Sequence, residues 1–235
     1  MFTHTSRGYI SGAYAGNADK VKFGIMGGRG NAAGWQVSGA MVINYMSAHD
    51  NHSLWDKLAI SNPDNTEEER MAMNRLGAAI LMVSQGTPFM QAGEEMLRTK
   101  GGDENSYRSD DAVNNLNWSA LKEGSREYAT VLYYKGLIQM RKTYGIFRSN
   151  DTQIPQVNEL ESGVIAITFD NGQGGQALAV INPHNTALRY ALEGQWNLIV
   201  DENRAGAQIL ARESGSITVD AISIRIYVND TLADE

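Results

Sequence analysis

The chain has 235 residues, is 42% hydrophobic and carries a formal charge of −7, which suits a soluble globular protein of one large domain or two modest ones and excludes a disordered chain. Its 20 Lys and Arg are thinly spread rather than clustered, and no apolar run reaches bilayer-spanning length, so neither nucleic acid nor a membrane is expected as a partner. Without cysteine there are no disulfides, thiolate metal sites or cysteine nucleophiles, and the start MFTHTSRGYISG has neither the basic nor the apolar segment of a signal peptide, so the expected location is cytoplasmic.

Near the N-terminus, Gly24, Gly27, Gly28 and Gly30 form no phosphate-binding or dinucleotide fingerprint, because no Gly-Lys-Ser/Thr or strand-to-helix context follows them. The first strand is predicted over Met41 to Met46 and is followed by the polar tract SAHDNHSLWDKL and the turn-rich SNPDN. Thr66 and Glu69 spell a capping box, and Met73, Leu76, Ile80 and Val83 continue it at helical spacing until Gly86 and Pro88 stop the helix. PFMQAGEE, residues 88 to 95, reads as a second buried parallel strand, and Leu97 to Asn117 as a polar loop. Ser125 caps a last predicted helix with an apolar stripe through Val131, Leu132, Leu137 and Met140 and with Arg141 and Lys142 in its final turn.

Beyond Asn150 the helical period disappears. VIAITFD, QALAVINP, LRYAL, WNLIV, SITV and ISIRIYV follow at strand spacing, with Asn171-Gly172, Asn182-Pro183, Glu193-Gly194 and Ser214-Gly215 as punctuation. The expected fold class is therefore α/β plus all-β, with an α/β part over 1–148, an antiparallel β-sandwich over 149–235 and a boundary at 148–152.

The HDNH spelling admits three readings. His49, Asp50 and His52 are metal-ligand types, but the tract matches no zinc motif and no third separated ligand can be nominated from the sequence. Alternatively, the side chains only satisfy loop backbone. The third reading rests on position, since the pair follows the C-terminal end of a hydrophobic strand, where α/β folds bind ligands.

NYMSAHDNHSLWDKL, SNPDNTEEERMAMNRLGAAILMVSQGTPFMQAGEEMLRTKGGDENSY and YYKGLIQMRK resemble the last barrel segments of the type I pullulanases, debranching enzymes of the α-amylase family. GYISGAYAGNADKVKFGIMGG resembles the stretch after their general-acid strand, and the β half resembles their closing sandwich. The resemblance implies the last units of a (β/α)₈ TIM barrel followed by that sandwich, acting on α-glucans such as pullulan, starch or glycogen-type oligosaccharides. It implies that His49 contacts substrate hydroxyls and that Asp50 stabilises the positively charged sugar ring of the transition state. Asn51, Arg98, Asn105 and Tyr107 are its implied substrate-binding positions.

The family's nucleophile, in a tract spelled like GFRFDLM, and its general acid have no counterpart here. Hydrolysis by the chain alone is therefore not expected, and a missing N-terminal barrel half or self-association is expected to cover the open face. Glu94 or Glu95 beside Asp50 is a weak substitute pair, and Trp55 reads as a helix anchor before a sugar platform. Asp103, Glu104, Asp110 and Asp111 could offer oxygen ligands, and calcium occurs in the wider family. Their spacing matches no EF-hand, so no metal or other cofactor is expected to be required. A non-catalytic α-glucan-binding module and a fragment of another α-amylase-family debranching or branching enzyme remain the alternatives.

Overall fold

The computed structural model describes residues 4–29, 38–148 and 151–233; Gly30 and the middle of the 148–152 boundary lie outside them. The first part is helical, with α1 at Ala18–Ile25, a strand β1 at Ile43–Asn44, α2 at Leu54–Ser61, and α3 at Glu67–Val83. Then come β2 at Thr87–Pro88, a short α4 at Asp111–Asn114, and α5 at Arg126–Thr143. Six strands follow: β3 Gln156–Glu161, β4 Val164–Asp170, β5 Gln176–Asn182, β6 Leu188–Val200, β7 Ala211–Val219 and β8 Ser223–Val228, before a terminal α6 at Asp230–Ala233.

Local signals set the two long helices. Thr66 Oγ1 accepts from Glu69 N at 3.2 Å while Glu69 Oε2 accepts from Thr66 N at 2.8 Å, and Ser125 Oγ accepts from Tyr128 N at 3.1 Å. The buried face of α5 differs from the expected stripe. Leu132 is exposed, while Tyr133, Tyr134, Leu137 and Met140 are buried. Arg141, in the final turn as expected, is also buried. Its guanidinium donates to the carbonyls of Met82 and Gly86 at 2.7 and 2.8 Å, of Ser84 at 3.0 Å and of Phe147, so it gathers the chain exits of α3 and α5. Burial lowers its pKa to about 10.

β1 and β2 pair in parallel, Ile43 with Thr87 and Asn44 with Pro88. Both are shorter than expected. After Pro88 the chain turns, with Gly93 at φ 102°, into a 3-10 turn at Glu94–Met96 instead of continuing as a strand. A ladder extends only as far as neighbouring strands satisfy it.

The six later strands form one antiparallel sheet in the order β3-β4-β5-β8-β6-β7. LRYAL and WNLIV are one strand. Glu193-Gly194, expected as an interstrand turn, is a bulge within β6, where the register against β7 shifts between Leu192 and Gln195. One sheet face, including Ile165, Ile167, Ala179, Ile181, Ile224 and Ile226, shares a continuous core with α1, α2, α3 and α5. Opposite it, Leu178, Val180 and Tyr227 pack with Leu192, Leu198, Ile217 and Val219 from the long β6–β7 pair. Packing against the helices is therefore continuous across the expected boundary.

Candidate functional site

The polar tract leaves β1 and wraps toward the N-terminus of α2, which Ser53 caps. Its path is fastened from below by two buried acids. Glu94 accepts through Oε1 from Ser47 N at 3.1 Å and from Ser47 Oγ, two residues before His49, and burial raises its pKa. Asn74 of α3 in turn donates to Glu94 O at 3.2 Å and accepts from Tyr134 of α5 at 3.0 Å. Asp56, in the first turn of α2, accepts from Lys100 N at 2.7 Å and Thr99 Oγ1 at 2.5 Å, fixing the loop after the 3-10 turn against the tract. Lys100 then donates to Ser106 Oγ at 2.7 Å.

On this support His49 and Asp50 project into solvent. Their side chains are 91% and 80% exposed, with His49 Nε2 3.5 Å from Asp50 Oδ1. Asn51 follows with φ 65°, a left-handed turn that asparagine tolerates and that reverses the chain beside the pair. His49 and Asp50 line one hollow with Glu104, Asn105, Ser106, Tyr107 and Asn114. Asp50 and Asn51 also line a larger neighbouring hollow of about 520 Å³ with Tyr45, His52 and Lys57. An exposed carboxylate and imidazole beside an amide and an open aromatic ring can bind polyol hydroxyls and face a developing positive charge.

Arg98 lies elsewhere. Its guanidinium donates to Asn114 O and, at 3.4 Å, to Ala92 O, and it lines a separate hollow with Trp55 and Trp118. Trp55 lies between Arg70 and Arg126, whose guanidinium carbons are 5.7 and 5.8 Å from its ring centroid, an anchoring position for α2. Glu94 faces inward to Ser47 while Asp50 faces solvent, which leaves no acid/base couple between them. Glu95 accepts from Gly93 N at 2.9 Å. The supporting roles of Asp56, Lys100 and Arg141 carry no signal in the sequence, because the carbonyls, amides and hydroxyls that hold these buried charges come mostly from segments distant in the chain.

β1 and β2 leave an uncovered apolar face, on which Met41, Ile43, Tyr45 and Phe89 are exposed and Tyr45 meets Phe89 edge to face at 6.1 Å. The His49–Asp50 pair thus follows the end of a two-stranded parallel ladder whose apolar face is uncovered. No protein-family model matches the sequence. The pullulanase of Bacillus subtilis (strain 168) is 37% identical over 144 residues, covering 59% of this chain and 20% of that protein. The structure of pullulanase from Bacillus acidopullulyticus superposes with a TM-score of 0.88 at 31% identity over 97% of this chain, and that from Paenibacillus barengoltzii, solved in complex with maltohexaose and alpha-cyclodextrin, with 0.83 at 33% identity over 97%. The chain is a partial, type I pullulanase-like segment, and it spans 28% and 36% of the lengths of those two structures.

Proposed function

We propose that this chain forms the C-terminal part of a glycoside hydrolase that cleaves α-1,6 bonds in branched α-glucans. The observation that carries the proposal is the exposed His49–Asp50 pair, set beside Asn105 and Tyr107 at the end of an open parallel strand pair. In this reading residues 1–148 are the last units of a (β/α)₈ barrel and residues 149–235 a sandwich in which the β6–β7 pair folds over the β5–β8 face. The barrel's earlier strands would cover Met41, Ile43, Tyr45 and Phe89.

Asp50 then lies opposite the oxocarbenium-like ring, where a fixed negative charge gains attraction as positive charge develops. His49 donates to sugar hydroxyls, Asn51 and Asn105 bind others, and Tyr107 offers an apolar ring face. Arg98 acts through its hold on Asn114 and the loop rather than by touching sugar. The nucleophile and general acid come from the earlier barrel strands, so the chain alone does not hydrolyse glucan. The test is to mix the chain with an N-terminal pullulanase fragment ending after its general-acid strand and to measure reducing-sugar release from pullulan. Activity is expected only in the mixture. Turnover by the chain alone would overturn the division of labour, whereas glucan binding with a silent mixture would favour a non-catalytic binding module.

A further inference from the structure

His52, the second histidine of HDNH, does not join His49. It turns away into the core side of the larger hollow, where its side chain is only 8% exposed, and there it meets two residues distant in sequence, His4 and Glu104. The His4 and His52 rings meet edge to face with centroids 5.0 Å apart. Glu104 Oε2 lies 2.5 Å from His4 Nε2 and 3.9 Å from His52 Nε2, and one donor atom from each of the three residues falls within 4.8 Å of the others.

Two features point beyond a simple ion pair. Among the described residues His52 Nδ1 is buried without a hydrogen-bond partner, and Nε2 stands beyond hydrogen-bonding distance from the Glu104 carboxylate. A buried imidazole nitrogen left unsatisfied is costly unless something else engages the ring. The surroundings are also electronegative. Asp103, next to Glu104, accepts hydrogen bonds from Ser109 Oγ at 2.5 Å and Asn105 N at 2.8 Å, and its carboxylate adds negative charge near His52. Lys57, which lines the same hollow, donates to the carbonyls of His4 and Ser6 at 2.5 and 2.8 Å.

We infer that His4, His52 and Glu104 form a binding site for a divalent transition cation of the zinc class. Two imidazoles and one carboxylate suit Zn²⁺, Co²⁺ or Ni²⁺, whereas Ca²⁺ and Mg²⁺ require oxygen donors. Metal–ligand bonds of about 2.0–2.2 Å put neighbouring donors in a tetrahedral site roughly 3.4 Å apart, a value that the 2.5 and 3.9 Å separations straddle, so small rotations bring all three onto one ion. His4 and His52 both line the hollow that Asp50 also lines. A bound ion would join the N-terminal segment, the HDNH tract and the loop that carries Asn105 and Tyr107.

The test is calorimetric titration of the untagged 235-residue chain with Zn²⁺, repeated with Co²⁺ while following its visible absorption, for the parent and for His4→Ala, Glu104→Gln and His49→Ala. His4 and Glu104 are partly exposed, so both substitutions should keep the fold, which circular dichroism verifies. The expected result is a single equivalent bound at micromolar or tighter affinity, weakened on the order of 10–100-fold or more by His4→Ala and by Glu104→Gln and unchanged by His49→Ala. Absence of Zn²⁺ and Co²⁺ binding overturns the inference, as does binding that survives His4→Ala and Glu104→Gln or disappears with His49→Ala.

Discussion

The uncovered face of the β1–β2 pair makes a quantitative prediction about assembly. Met41, Ile43, Tyr45 and Phe89 are between 45% and 68% exposed. Fully burying a side chain of this size contributes about 1.5–3 kcal/mol, so covering what these four still expose is worth roughly 4–7 kcal/mol in gross terms. Association costs about 4–15 kcal/mol in lost rigid-body freedom, so this face cannot hold a partner unless strand pairing and further contacts add to it. A barrel half supplies both. Ile43 is 63% exposed, and Ile43→Asp removes about 1–2 kcal/mol of that burial and forces a carboxylate under the partner. Binding of the N-terminal pullulanase fragment, measured by calorimetry or fluorescence anisotropy, should weaken by roughly 5–30-fold from the apolar loss alone and further from the buried charge. The variant's own melting temperature should hardly move, because the side chain buries little in the isolated chain. An unchanged Kd would mean that this face is not the seam, and a large fall in melting temperature would mean that Ile43 belongs to the chain's own core.

Other perturbations test the internal framework. At Gly136 on α5 a Cβ would stand 1.9 Å from Ala205 O, a backbone atom that cannot step aside, so Gly136→Ala should lose a net ~1–3 kcal/mol despite the ~1 kcal/mol helix-propensity gain; thermal melting that shows a stabilised variant would refute the contact. Arg141→Met leaves the carbonyls of Met82, Ser84, Gly86 and Phe147 without their donor and should cost about 3–5 kcal/mol in urea unfolding, with a near-neutral result contradicting the clasp. Glu94 has its pKa raised by burial, so it contributes stability that is fully present below the ordinary glutamate pKa and is lost as pH rises through the folded value. Glu94→Gln should therefore flatten the fall in melting temperature as pH is raised from that ordinary value toward neutrality, and a parallel pH profile for parent and variant would show that Glu94 is not the group responsible.

What the sequence revealed and what it hid divide along the range of the interactions. Caps at Thr66, Glu69 and Ser125 are legible because donor and acceptor lie within four residues. Strand β3, QVNELE, escaped notice because it is an outer, mostly exposed strand with no apolar alternation to read. Glu193-Gly194 was readable as a turn but not as a bulge, since the same pair serves both and only the partner strand decides. The strand at 88–95 shrank to two residues for a related reason, because its apolar run describes burial rather than pairing. His49 and Asp50 stood out through their position after β1, yet the company of His52 could not be read at all. His4 and Glu104 lie 48 residues before it and 52 after it, and nothing in either segment spells a ligand motif.

Asp50 is proposed to face the developing charge of a sugar ring in a cleft completed from outside this chain. The most direct test is the kcat on pullulan of the reconstituted mixture, measured for the parent chain and for Asp50→Asn at equal, saturating occupancy by the N-terminal fragment. The substitution keeps the shape of an 80% exposed side chain and removes only its charge. The kcat should fall by a factor on the order of 10²–10³ or more, as for loss of a transition-state electrostatic partner, while the Kd between fragments stays the same. A mixture in which Asp50→Asn turns over pullulan as fast as the parent would contradict this role for Asp50 and leave the His-Asp pair as loop structure.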